Sequence, residues 1–157
     1  MPNVSTATAG KGTTFVDTNV LVYAYDATDP VKHGLARTAL ESLWDDGTGV
    51  LSTQVLQEFY AVATAGHKLA MQPREALEIV ELYSAWPVVL LDPVVILNAS
   101  RLHEQHQVSF WDALIVEAAR LAGAHRILSE DLRAGQAFDG IRIDDPFVVT
   151  SGPDLMA

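Results

Sequence analysis

Short β-branched runs alternate with longer stretches of helical periodicity along this chain, and no other feature limits its fold as strongly. The runs at 14–16, 50–52, 87–91, 126–128 and 141–143 are typical of strands, the last of them an edge strand. Strands that alternate with helices predict βαβ units and a parallel sheet. We therefore predict an α/β fold of three layers, α/β/α, around a central, mostly parallel sheet of about five strands.

Capping residues set the predicted helix boundaries. Asp29 and Asp92 each precede a proline, which favours the first turn of a helix, and Ser109 can cap the helix that begins at Phe110. Gly47 and Gly123 are typical of helix ends. The predicted helices cover about 18–25, 30–44, 53–66, 73–86, 93–106 and 110–122.

Length and composition indicate one globular domain. The chain has 157 residues, 49% of them apolar and 19% charged, which is enough for a core. We predict a flexible leader over 1–12, a single domain over 13–150 and a tail over 151–157. The leader lacks the pattern of a secretory signal, no apolar run reaches membrane-spanning length, and cysteine is absent. We expect a cytoplasmic protein without a membrane span.

The formal net charge of −10 argues against a protein that binds nucleic acid through a broad basic surface. It does not argue against an enzyme that reaches one phosphate through a bound metal ion. Part of the negative charge can belong to such a site.

Asp17 lies between two apolar stretches, at the point where the first strand should end. A carboxylate there costs free energy unless a cation or hydrogen-bond donors meet it. The carboxyl ends of parallel strands are also where ligands bind in α/β folds. The alternative is that Asp17 only caps the following helix. Thr18 and Asn19 suit holding a metal-bound water, and equally suit a turn.

Glu58 shares one face of a predicted helix with Val55 and Val62, because the spacings are three and four residues. A glutamate on an apolar stripe is a candidate ligand. The alternative is an acid at the margin of the stripe whose carboxylate reaches water.

Asp112 and Asp131 complete a set of four acids in apolar settings. Asp112 is three residues after Ser109, so it can belong to a capping box and still point into a crevice. Asp131 follows the fourth strand, where helix capping is the alternative. Glu130 is a competing candidate, and periodicity does not choose between them.

Four carboxylates at one crevice would make a site for a hard cation, Mg²⁺ or Mn²⁺. Such acids repel one another, so at least one should have a raised pKa without metal. A divalent cation relieves the repulsion, can polarise a phosphate oxygen and can activate water. The residues alone thus favour a nuclease.

Four blocks of sequence together resemble the PIN-domain family, and in particular its VapC-type toxins. The blocks lie at 15–21, 57–59, 109–115 and 128–132, and the resemblance extends from about Thr13 to Ile143. It implies a PIN-like three-layer fold and a metal-dependent endoribonuclease that cuts structured RNA such as tRNA or rRNA. It also implies the toxin of a toxin–antitoxin pair, with a cognate antitoxin as partner, and a homodimer.

The resemblance also assigns the site residues. The catalytic and metal-binding acids are implied to be Asp17, Glu58, Asp112 and Asp131, with Mg²⁺ or Mn²⁺ as the cofactor. Thr18, Asn19 and Ser129 are implied to support them through hydrogen bonds. Many family members have threonine where this chain has Ser129.

Other functions remain possible at this point. A haloacid-dehalogenase-like phosphatase would use Asp17 as a nucleophile, but it would need a second aspartate where Asn19 stands. A receiver-like module would need a lysine late in the chain, and none follows Lys68. A stand-alone PIN ribonuclease that is not a toxin and a catalytically silent domain with an acidic pocket are the remaining alternatives.

Overall fold

The computed structural model describes residues 12–133 and 137–148. The strands within these ranges, in chain order, are β1 (Thr14–Val16), β2 (Gly49–Ser52), β3 (Val88–Val89), β4 (Arg126–Leu128), β5 (Ala137–Phe138) and β6 (Ile141–Asp144). The helices are α1 (Thr18–Tyr23), α2 (Pro30–Asp46), α3 (Thr53–Thr64), α4 (Pro73–Tyr83), α5 (Pro93–Gln105) and α6 (Phe110–Leu121).

The strands form one sheet in the order β3-β2-β1-β4-β6-β5. The first five strands of this order pair in parallel, and β5 pairs antiparallel to β6. The predicted α/β fold with a mostly parallel central sheet is therefore confirmed. The prediction that 141–143 is an edge strand is wrong, because the two-residue β5 adds to the outer side of β6.

The order of the strands reverses at β1, and this reversal locates the site. From β1 the chain adds β2 and β3 on one side, then returns to place β4 on the other side of β1. Ligands of open parallel sheets bind at such a switch point, outside the carboxyl ends of the strands. Val16 pairs with Leu128, so β1 and β4 end level with each other. The residues that follow these two strands meet at this edge.

Each of the predicted helices is present, with ends within a few residues of those expected. Asp29, Asp92 and Ser109 cap α2, α5 and α6 with their side chains, as the sequence indicated. In the described part of the chain, no helix is both long and apolar enough to cross a membrane. Residues 1–11 of the predicted leader and the predicted tail, 151–157, lie outside the described residues.

A cluster of aromatic rings packs beside β2. Trp86 lies 5.1 Å from the ring centres of both Trp44 and Tyr83. Gly49, the first residue of β2, lies directly against Trp86, so a Cβ atom at this position would come within 2.6 Å of the indole ring. Trp86 is held by its aromatic neighbours, which leaves the ring little room to move.

The variant Gly49→Ala should therefore lose about 1–3 kcal/mol of unfolding free energy, as expected for overpacking a core. Gly34→Ala is the matched control, because Gly34 lies in the exposed middle of α2 and a Cβ atom there meets nothing within 4 Å. It should gain about 0.5–1 kcal/mol from helix propensity. Urea denaturation of the two variants measures both changes. Equal stabilities would contradict the packing argument.

Candidate active site

Four acids that are far apart in sequence line one cavity of about 480 Å³ at the carboxyl edge of the sheet. They are the acids that the sequence singled out, and each comes from a different segment: after β1, on α3, at the start of α6 and after β4. The lining residues are Asp17, Thr18, Gln54, Glu58, Trp111, Asp112, Ile115 and Asp131.

Asp17 occupies the innermost position and is only 5% exposed. Its carboxylate accepts hydrogen bonds from the Thr18 backbone N–H at 2.7 Å and from the Ser129 hydroxyl at 2.7 Å. The amide of Asn19 donates a third, longer bond at 3.3 Å. Asp17 also caps α1. Capping and lining the cavity therefore coexist at this residue.

Burial raises the pKa of Asp17 from 3.8 to about 6, although the bonds from Ser129 and Thr18 oppose the rise. The negative charges of Asp131 and Glu58 raise it further. Burial also raises the pKa of Asp112, and the same two acids add to the effect. Two of the four carboxylates thus resist ionisation, mainly because they are buried and to a lesser extent because the acids repel one another.

Glu58 is fixed by two neighbours from different elements. The Thr18 hydroxyl donates to one carboxylate oxygen at 2.9 Å, and the Gln54 amide donates to the other at 2.7 Å. The predicted apolar face is only partly right, because Val62 is 38% exposed. The buried stripe of α3 runs instead through Val55, Phe59 and Ala63, so Glu58 lies at its margin and faces the cavity.

Asp112 lies in the first turn of α6, as the sequence suggested. Its backbone N–H donates to the hydroxyl of Ser109, the N-cap, at 3.0 Å. The following residues of α6, from Ala113 to Ala119, are buried. The helix is therefore held firmly, and its first turn presents Asp112 to the cavity.

Asn19 and Ser129 connect the segments that follow β1 and β4. Asn19 donates to Asp131 at 3.1 Å, and its amide oxygen accepts from the backbone N–H of Glu130 at 3.1 Å. The Ser129 hydroxyl, fully buried, accepts from the backbone N–H groups of Asp131 and Leu132, each at 3.1 Å. These bonds fix the loop after β4 against Asp17.

The loop after β4 separates two neighbouring acids that periodicity did not distinguish and of which the resemblance implied Asp131. Glu130 forms an ion pair with Lys32 outside the cavity, whereas Asp131 lines the cavity. Asp131 is therefore the acid that can act together with Asp17.

Two polar or aromatic residues of the cavity were not predicted. Gln54 is 5% exposed and bonds to Glu58 one turn later, a spacing that the sequence shows. Trp111 precedes Asp112 and is 64% exposed at the cavity. Nothing in the sequence marks this tryptophan as exposed, because an apolar residue precedes it and an acid follows it.

The donor set suits a hard cation, since it consists of carboxylates with hydroxyl and amide groups behind them. As the side chains are placed, no three acids or histidines among the described residues converge closely enough to ligate one ion directly. An ion such as Mg²⁺ does not need such a group, because it keeps several waters and takes few protein ligands directly. The residues present are compatible with the metal that the sequence predicted.

A family model described as PIN domain matches residues 14–138. No curated protein matches the chain significantly.

Several solved structures share the fold, among them the following two. One is that of VapC20 from Mycobacterium tuberculosis, described as a sarcin-ricin loop cleaving toxin. Its TM-score is 0.59 and its sequence identity is 22%. The match covers 76% of this chain and 90% of that one. The other is FitAB bound to the IR36 DNA fragment, with a TM-score of 0.58 and 16% identity, covering 87% of this chain and 96% of that one.

The raised pKa of Asp17 predicts how stability depends on pH in the presence of a chelator. The folded protein binds the proton more tightly than the unfolded chain, so stability should fall between about pH 4 and about pH 6 and then level off. Asp17→Asn removes this loss. The variant should therefore exceed the parent protein in stability at pH 7 by on the order of 3 kcal/mol, and should match it near pH 4.

Urea unfolding of both proteins across this pH range checks the prediction. Parallel stability curves for the two proteins would show that the carboxylate of Asp17 is not held against ionisation.

Proposed function

The chain belongs to the PIN domain family, and from this premise we propose that it is a metal-dependent endoribonuclease. The observation that carries the proposal is the meeting of four carboxylates from four separate segments in one cavity. A structural role for each acid does not explain why all four face the same space.

Asp17, Glu58, Asp112 and Asp131 would hold one or two Mg²⁺ or Mn²⁺ ions. A bound divalent cation supplies charge neutralisation, polarisation of the phosphate and a lower pKa for water. The cation would also relieve the repulsion that adds to the effect of burial on the pKa of Asp17 and of Asp112.

The chain's own residues position the acids. Thr18 and Gln54 hold Glu58 from two sides, which limits the rotation of its carboxylate. Ser129 and Asn19 do the same for Asp17, and Asn19 also holds Asp131. Fixing ligands through hydrogen-bonded neighbours raises metal affinity and activity, typically by 10–100-fold per contact.

We further propose that the substrate is structured RNA, such as tRNA or rRNA, and that the protein is the toxin of a toxin–antitoxin pair. VapC20, which shares the fold, is described as a toxin that cleaves the sarcin-ricin loop. An arginine or lysine from a cognate antitoxin would suit the acidic cavity, because it would take the place of the cation. Co-purification with a small protein encoded beside this one tests the partnership.

A homodimer and a cytoplasmic location complete the proposal. Apolar side chains stand exposed on α3, α4 and α5, and these helices could supply a dimer interface. They include Tyr60, Val62, Leu77, Leu82, Val94 and Leu97.

The variant Asp112→Asn should lose at least about 100-fold in RNA cleavage, because it removes a charge from the acid set while keeping the shape of the side chain. The assay incubates pure protein with total cellular RNA and Mn²⁺, and the RNA ends are mapped. Chelator should abolish cleavage by the parent protein.

Glu104→Gln is the matched control, since Glu104 is an exposed acid on α5 that does not line the cavity. It should cleave like the parent protein. Circular dichroism should show both variants folded. Full activity of Asp112→Asn, or cleavage that persists in chelator, would refute the proposed function.

A further inference from the structure

Trp111 presents a large aromatic surface at the rim of the acid cavity. The residue is 64% exposed. The residue before it, Phe110, is half-buried, and the residue after it, Asp112, lines the same cavity. Large apolar side chains that lie exposed at a site often contact a ligand, and tryptophan is particularly suited to stacking.

The position of Trp111 is well fixed. It is the second residue of α6, whose following residues are buried, and its backbone carbonyl accepts a bond from the buried Gln54 amide at 3.4 Å. The Phe110 ring meets the indole edge-to-face, with ring centres 5.6 Å apart. An aromatic platform held in this way costs little entropy when a ligand stacks on it.

The cavity therefore combines two kinds of surface. Carboxylates line part of it, and Trp111 together with Ile115 lines another part. A nucleotide has the matching pair of groups, since its phosphate is drawn to a cation among the acids and its base has a flat apolar face. Paired bases are stacked inside a helix and cannot offer this face, whereas the unpaired bases of loops can.

We propose that Trp111 stacks on an unpaired base next to the phosphate that is cut and so positions the RNA strand at the acids. This inference rests on the proposed function and adds to it a residue that binds the substrate.

A second cavity, of about 290 Å³, offers a path for the rest of the strand. It shares Asp112 and Asp131 with the first cavity, and the other described residues lining it are Gln107, Val108, Ser109, Leu132 and Arg133. Arg133 is the one basic residue among the described residues that line the two cavities. A phosphate beyond the stacked nucleotide would find a cation there.

Binding of two probes tests the stacking directly. The probes are a short oligoadenylate and an abasic ribose-phosphate chain of equal length, measured with Ca²⁺ as the divalent ion. Trp111→Ala should weaken oligoadenylate binding about tenfold or more, because stacking on an aromatic side chain contributes that much per base. Binding of the abasic chain should not change, and Trp111→Phe should retain most of the affinity.

Leu121→Ala is the matched control. Leu121 is an exposed large apolar residue at the other end of α6 that lines neither of the two cavities, so its removal should leave both affinities unchanged. Size-exclusion chromatography of each variant should give the oligomeric state of the parent protein.

Three results would overturn the inference: unchanged oligoadenylate binding in Trp111→Ala, equal losses for both probes, or a loss that follows a change of oligomeric state. If the parent protein cleaves RNA and one of these results is found, only the stacking role fails. If the parent protein cleaves no RNA with Mn²⁺, the proposed function itself fails.

Discussion

The buried carboxylate of Asp17 is the constraint on which the site depends. It lies at the end of the central strand, where burial and two neighbouring acids oppose its ionisation. The fold meets this cost with donors on both sides, the Thr18 backbone on its own helix and the Ser129 hydroxyl beyond β4. These donors belong to the segments that follow two neighbouring strands, β1 and β4. The hydrogen bonds that stabilise the buried acid therefore also join the two halves of the sheet at the switch point.

The acidity of the cavity also explains how a chain of net charge −10 could act on RNA. Carboxylates alone would repel a phosphate, so the proposed nuclease needs a divalent cation both to hold the acids together and to attract the substrate. Contact with the rest of the RNA then needs no broad basic surface. Stacking on Trp111 would supply affinity that does not depend on charge.

The four acids of the candidate site could be predicted from the sequence, each from a different kind of signal. Asp17 was found because it follows an apolar strand at the edge where ligands bind, and Asp112 because it stands in an apolar setting. Asp131 was chosen over the neighbouring glutamate by the resemblance to the PIN family. Glu58 was found from helical spacing, although Val62 proved exposed, since periodicity does not tell which side of a helix its neighbours cover.

Other features needed the three-dimensional arrangement. The strand β5 has two residues, too few to show any period. Periodicity could not separate Glu130 from Asp131, because Lys32, which pairs with Glu130, lies about a hundred positions earlier and is close only in the folded chain. The exposure of Trp111 follows from the way α6 enters the site, and local sequence does not record it.

A crystal structure of the protein soaked in Mn²⁺, with anomalous scattering recorded, would test the central claim most directly. The account predicts an anomalous peak inside the cavity bounded by Asp17, Glu58, Asp112 and Asp131. A cavity without such a peak at saturating Mn²⁺, with the four carboxylates turned away from one another, would contradict it.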